Sequence, residues 1–93
     1  MKTFEKDPDA VLDYYWDWTD WLTEGDSIDS VEFSSTDADL IVDDFVIAGS
    51  KVMAAISGGT EGSSSGIITC RVTTNSTPPK IDDRSVRFII KER

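Results

Sequence analysis

Val11-Leu12-Asp13-Tyr14-Tyr15-Trp16-Asp17-Trp18 decides the fold. In an extended chain, side chains alternate between two faces. Leu12, Tyr14, Trp16 and Trp18 then share one face, and Val11, Asp13, Tyr15 and Asp17 the other. A helix starting at Asp7-Pro8 competes, since proline suits a first helical position. Its stripe would be Val11, Leu12, Tyr15, Trp18 and Leu22. The strand is preferred, because the alternation is cleaner and aromatics favour a pleated surface. Thr19-Asp20-Trp21-Leu22 breaks the alternation and reads as a single turn, ended by Glu24-Gly25-Asp26.

The same period recurs outward from this stretch. Residues 27–34 carry Ile28, Val31 and Phe33, with a phase slip that predicts a bulge or a late start. Leu40-Ile41-Val42 and Phe45-Val46-Ile47 are short apolar runs, closed by Ala48-Gly49. Residues 51–57 put Val52, Ala54 and Ile56 on one side. Residues 67–74 put Ile68, Cys70 and Val72 on one side. Residues 83–91 turn Val86, Phe88 and Ile90 inward and Arg87, Ile89 and Lys91 outward. Pro78-Pro79 marks a break between the last two strands. No amphipathic helix separates the strands, so a parallel βαβ arrangement is excluded. The expected fold is an all-β sandwich of about six to seven antiparallel strands, one domain over residues 1–93. Its expected core is Leu12, Tyr14, Trp16, Phe33, Ile41, Val52, Ala54, Ile56, Ile68, Cys70, Val72, Val86, Phe88 and Ile90.

Composition removes many functions. The 93 residues include 18 acids, 9 bases and no histidine, for a net charge of −9. Without histidine, Ser-His-Asp and Cys-His catalysis lose their base. One cysteine and no histidine cannot close a zinc site of that type, and Cys70 alone cannot form an internal disulfide. Scarce cations argue against non-specific nucleic-acid binding and against an anionic membrane surface. No segment approaches the ~20 apolar residues of a membrane helix. Met1-Lys2-Thr3-Phe4-Glu5 runs into acids and lacks a signal-peptide core. The charge is uneven. Residues 1–50 hold 14 acids against Lys2 and Lys6, a net of −12, whereas residues 51–93 hold 4 acids against 7 bases, a net of +3. This has two readings: a solvated acidic surface that keeps the chain soluble, or a polarised surface that would stack on copies of itself or dock on a complementary partner, with charge setting orientation.

Individual motifs carry little chemistry. The Gly58–Gly66 loop lacks the following lysine of a P-loop. The acids from Asp37 to Asp44 surround Leu40-Ile41-Val42, where a calcium loop needs ligands and glycine. Asp43-Asp44 are adjacent, and adjacent strand residues point apart. Cys70 reads as a small core residue. The expected catalytic, metal and cofactor sets are therefore empty. Three tryptophans within six residues, Trp16, Trp18 and Trp21, have two readings: core anchors, or an exposed turn residue at an interface.

The run from Asp13 to Leu22, with Asp26-Ser27-Ile28 after it, resembles the opening of small tailed-phage fiber-tail adaptor proteins. So do Val52 to Gly62, containing Ser57-Gly58-Gly59-Thr60-Glu61-Gly62, and the ending Asp82-Asp83-Arg84-Ser85-Val86 with Ile90-Lys91-Glu92-Arg93. Thr77-Pro78-Pro79-Lys80 departs from the shorter, glycine-containing turn expected there. The resemblance implies an immunoglobulin-like virion structural protein, with no enzymatic activity. It would be an adaptor between neck or tail and tail fibers, in multiple copies around a ring. Its implied partners are other virion proteins (portal, neck or tail ring, and tail fibers) and copies of itself. Its implied location is the virion, assembled in the host bacterial cytoplasm. Trp18, Asp20, Trp21 and Leu22 are the candidates for one docking surface. Arg84, Arg87, Lys91 and Arg93 are the candidates for another. Two other classes stay open: a capsid-decoration or glycan-binding sandwich using loop 58–66, and a small enzyme or metal-dependent lectin.

Overall fold

Alternating apolar side chains fold into strands because one face of each can be buried while the backbone is paired. A computed structural model describes residues 2–59 and 66–91. The described residues form seven strands: β1 (Lys2–Lys6), β2 (Leu12–Asp17), β3 (Ile28–Ser35), β4 (Leu40–Ala48), β5 (Lys51–Gly58), β6 (Gly66–Thr74) and β7 (Ile81–Ile90). They make a four-strand sheet, ordered β1-β7-β6-β3, and a three-strand sheet, ordered β2-β5-β4.

The inward sets meet between the sheets. Trp16, Trp18, Ile28, Leu40, Val52, Ala54, Ile56, Ile68, Cys70, Val72, Val86, Phe88 and Ile90 are all buried. Tyr14 and Phe33 are partly buried and pack against them. The rings pack along β2 and across to the facing sheet. Tyr14 meets Trp16 edge-on at 4.7 Å between centroids, and Trp16 meets Phe33 at 5.6 Å. Such pairs add about 0.5–1.5 kcal/mol each beyond their buried area.

Three expectations need correction. The first strand, β1, was not anticipated, because Lys2-Thr3-Phe4-Glu5-Lys6 has only one large apolar residue. It runs parallel to β7, with Lys2 opposite Val86 and Lys6 opposite Ile90, so the strands are not all antiparallel. The two apolar runs of residues 40–47 are one strand, β4, whose register against β5 shifts between Val42 and Asp44. Ile41 is exposed and Leu40 is buried instead. Before the shift the inward residues are Leu40 and Val42, opposite Gly58 and Ile56. After it they are Phe45 and Ile47, opposite Ala54 and Val52. The extra residue, Asp43, resets the alternation. The predicted slip near residue 28 is present, as a shift between Ile28 and Ser30.

One end of the sandwich is closed by a cation. Lys6 is buried, and its ammonium donates to the carbonyls of Gly58 at 2.7 Å and Asp7 at 2.9 Å. Burial pushes its pKa down, while Asp7, Asp9 and Asp43 pull the other way. Gly58 closes the same corner. Its φ is +75°, and a Cβ there would stand 2.1 Å from the Asp39 carbonyl oxygen. Gly58→Ala is therefore expected to destabilise the fold by at least about 1–3 kcal/mol. A thermal melt matching the parent protein would refute this close approach.

Candidate functional site

The turn that follows β2 is built on Trp18. The backbone N–H groups of Trp21 and Leu22 both donate to the Trp18 carbonyl at 3.0 Å, giving the single turn expected for residues 19–22. Asp17 starts it: its carboxylate accepts the Thr19 backbone N–H at 2.8 Å and also the Thr19 hydroxyl. These bonds hold the Asp17 carboxyl below the usual carboxylate range, the Thr19 hydroxyl most of all, with smaller help from Lys51 and Arg84. The turn is tied to the β4–β5 connection, where the Trp18 N–H donates to the Ser50 carbonyl at 2.9 Å.

Trp18 itself offers no surface to a partner, because it is fully buried. It keeps the inward phase of Leu12, Tyr14 and Trp16, and the irregular turn starts only after it. Its indole Nε1–H donates to the Asp82 carboxylate at 2.9 Å. The Arg84 guanidinium lies over its ring, 5.2 Å from the centroid. Arg84 also donates to Asp82 at 3.4 Å and to the Asp17 carbonyl. A residue of β7 in the four-strand sheet is thus clamped on a turn leaving the three-strand sheet. Asp20 is exposed above this clamp, and Trp21 and Leu22 are half-buried against the core.

The basic candidates do not gather into one patch. Arg84 and Arg87 differ in parity along β7, so they lie on opposite faces of the sheet. Arg84 is half-buried at the mouth of the core, whereas Arg87 is exposed on the outer face, opposite Thr3 and Ile67. Lys91 follows the far end of β7 and is exposed; its backbone N–H donates to the Lys6 carbonyl at 2.9 Å. Seven residues of extended chain put it about 23 Å from Arg84. Arg93 lies outside the described residues, as do residues 60–65 of the loop considered for sugar binding. Arg84 instead joins the Trp21 turn, so the two candidate surfaces share one residue and diverge in the others.

Asp82 was missed as a site residue. The signal was available: Asp82 and Arg84 have the parity of Val86 and Phe88, so an inward strand phase begins with two charges. Beside them lies an open groove of about 630 Å³, lined by Lys2, Tyr14, Trp16, Asp17, Arg84 and Ser85 among others. Among the described residues, β1 pairs with β7 from Val86 to Ile90 and no described strand pairs with residues 81–85 on that side. Among the described residues, no three potential ligands gather as a metal site. Asp43 and Asp44 sit exposed at the β4 register shift.

No curated protein matches the chain. The family model described as podophage GP4 fiber-tail adaptor protein gp77 matches residues 6–88, nearly its whole length, and the chain belongs to that family.

Proposed function

We propose that this protein is a virion structural adaptor that links the neck or tail to the tail fibers. The family match over residues 6–88 carries this reading. The protein acts by docking, as a single immunoglobulin-like domain over residues 1–93, in several copies around a ring. The strand order supports the immunoglobulin-like assignment. Lettered A to G, the strands give neighbours B-E-D in one sheet and C-F-G in the other, as in that fold, with strand A beside G. The shape supports an adaptor. The molecule measures 44 × 20 × 19 Å, and the Trp21 turn and Lys91 lie at opposite ends of the strands. Two separated contact surfaces are what a linking piece requires. In a ring, weak single contacts add by avidity. Its partners are other virion proteins and neighbouring copies, and its location is the virion.

The test is calibrated peptide mass spectrometry of purified phage particles encoding this chain, with two variants. The expected result is a few copies per particle for the parent and reduced incorporation of Asp20→Lys and Trp21→Ala, each melting like a folded protein. Absence of the parent from particles would overturn the adaptor reading. A copy number like that of the major capsid protein would favour capsid decoration. Unchanged incorporation of both variants would remove the turn as a docking surface.

A further inference from the structure

The outer face of the three-strand sheet carries an apolar band that the fold leaves uncovered. Among the described residues, eight large apolar side chains are exposed. Four of them, Tyr15, Ile41, Val46 and Met53, stand on this one face, at 57%, 49%, 49% and 41% exposure. Tyr15, Met53 and Val46 are register partners, so they form a continuous row across β2, β5 and β4. Scattered apolar residues are ordinary on a surface, whereas a contiguous patch marks an interaction site.

The next row is Asp13, Ala55 and Asp44. A small residue in the centre strand between two carboxylates makes a shallow depression of about 170 Å³, floored by Ala55 and bordered by Asp13, Asp44, Val46 and Met53. The flanking strands are two spacings apart, about 10 Å. A cationic head entering over Ala55 meets a carboxylate on each side, and its aliphatic stem lies along Met53 and Val46. The row beyond Tyr15 adds Asp17 beside Lys51, whose ammonium sits 5.5 Å from the Tyr15 ring centroid. Three carboxylates against one ammonium leave the face acidic. Two copies meeting symmetrically through it would therefore oppose like charges.

We propose that this sheet face docks a protein surface that is basic and aliphatic, and that it seats an arginine or lysine between Asp13 and Asp44 over Ala55. The surface is separate from the Trp21 turn and does not depend on the adaptor role. Apolar contact supplies the affinity and the two carboxylates fix which partner fits.

The probe is a blocked peptide alternating arginine and valine, titrated into isotope-labelled full-length protein and followed by NMR. The expected result is saturable shifts centred on Asp13, Tyr15, Met53, Ala55 and Val46. Ala55→Lys fills the depression with the protein's own cation and is expected to weaken binding at least about tenfold without altering the melt. Asp13→Asn, which leaves the apolar row intact, is expected to weaken it less. Any one of four results would overturn the proposal. These are no saturation up to about 1 mM, shifts centred on residues 18–22, equal binding of a glutamate–valine peptide, or unchanged binding by both variants. Concentration-dependent dimerisation abolished by Ala55→Lys would also overturn it, in favour of a second copy on this face.

Discussion

Trp18→Ala is expected to lower the unfolding free energy by about 3–5 kcal/mol, the range for deleting a large buried aromatic. Trp18 is fully buried, and it is the largest such side chain among the described residues. It also holds two parts of the molecule together, through the Asp82 carboxylate and the Arg84 guanidinium stacked on its ring. A domain of this size is stable by only about 5–10 kcal/mol, so the variant should be close to unfolding. Trp18→Phe separates the two contributions. It keeps a ring but leaves Asp82 without its indole donor, at an expected cost of about 1–3 kcal/mol. Trp16→Phe is the control. Trp16 is nearly as buried, but its Nε1 has no acceptor among the described residues, so that substitution removes no hydrogen bond. Urea denaturation should rank Trp18→Ala worst, then Trp18→Phe, then Trp16→Phe. Equal costs for the two phenylalanine variants would refute the Asp82 bond. It follows that lost particle incorporation of Trp18→Ala reports unfolding, whereas loss in Asp20→Lys and Trp21→Ala variants that still melt cooperatively would report the proposed docking surface.

Stability is expected to fall steeply in alkali because of one thiol. Cys70 is fully buried in β6, and burial, with a smaller contribution from the nearby Asp83 charge, pushes its pKa from the ordinary 9.0 up to about 12. The folded protein therefore keeps a proton that the unfolded chain releases. The stabilising effect is complete below pH 9.0 and is lost as pH rises towards 12. The slope is about 1.4 kcal/mol per pH unit, for a total on the order of 4 kcal/mol. Tyr14 acts in the same sense, since burial raises its pKa from 10.0. Lys6 acts in the opposite sense, since its pKa is lowered and discharging it relieves a desolvation cost. Cys70→Ala isolates the thiol. At neutral pH the variant should be less stable by the small cavity it leaves, and the two stability curves should converge as pH rises above 9.0. Parallel curves from neutral pH to about pH 11 would refute a buried thiol as the cause.

The core was legible because burial follows parity. Val52, Ala54, Ile56, Ile68, Cys70, Val72, Val86, Phe88 and Ile90 were assigned inward from alternation, and all are buried. Parity failed at Ile41, where Asp43 inserts an extra residue and resets the count. An insertion is a property of two paired strands, so one strand's pattern does not reveal it. It also failed for β1, whose place comes from pairing with β7 rather than from its own apolar face. The Trp21 turn was legible as a break in period. The Arg84 contact was not, because it joins residues 67 apart in sequence.

The amino-acid sequence alone determined that this is a β protein without histidine chemistry, with three tryptophans clustered in residues 16–21 and an acidic first half. Local alternation and residue counts carry that information, since they depend on each strand's own side chains. The tertiary structure decided which charges meet. It drew Asp82 and Arg84 onto Trp18, and it parted Arg84 from Arg87 and Lys91. It also lined up Asp13, Ala55 and Asp44 from three strands into one acidic cradle. Strand order and register set those neighbours, and both arise from long-range backbone pairing that no local pattern encodes.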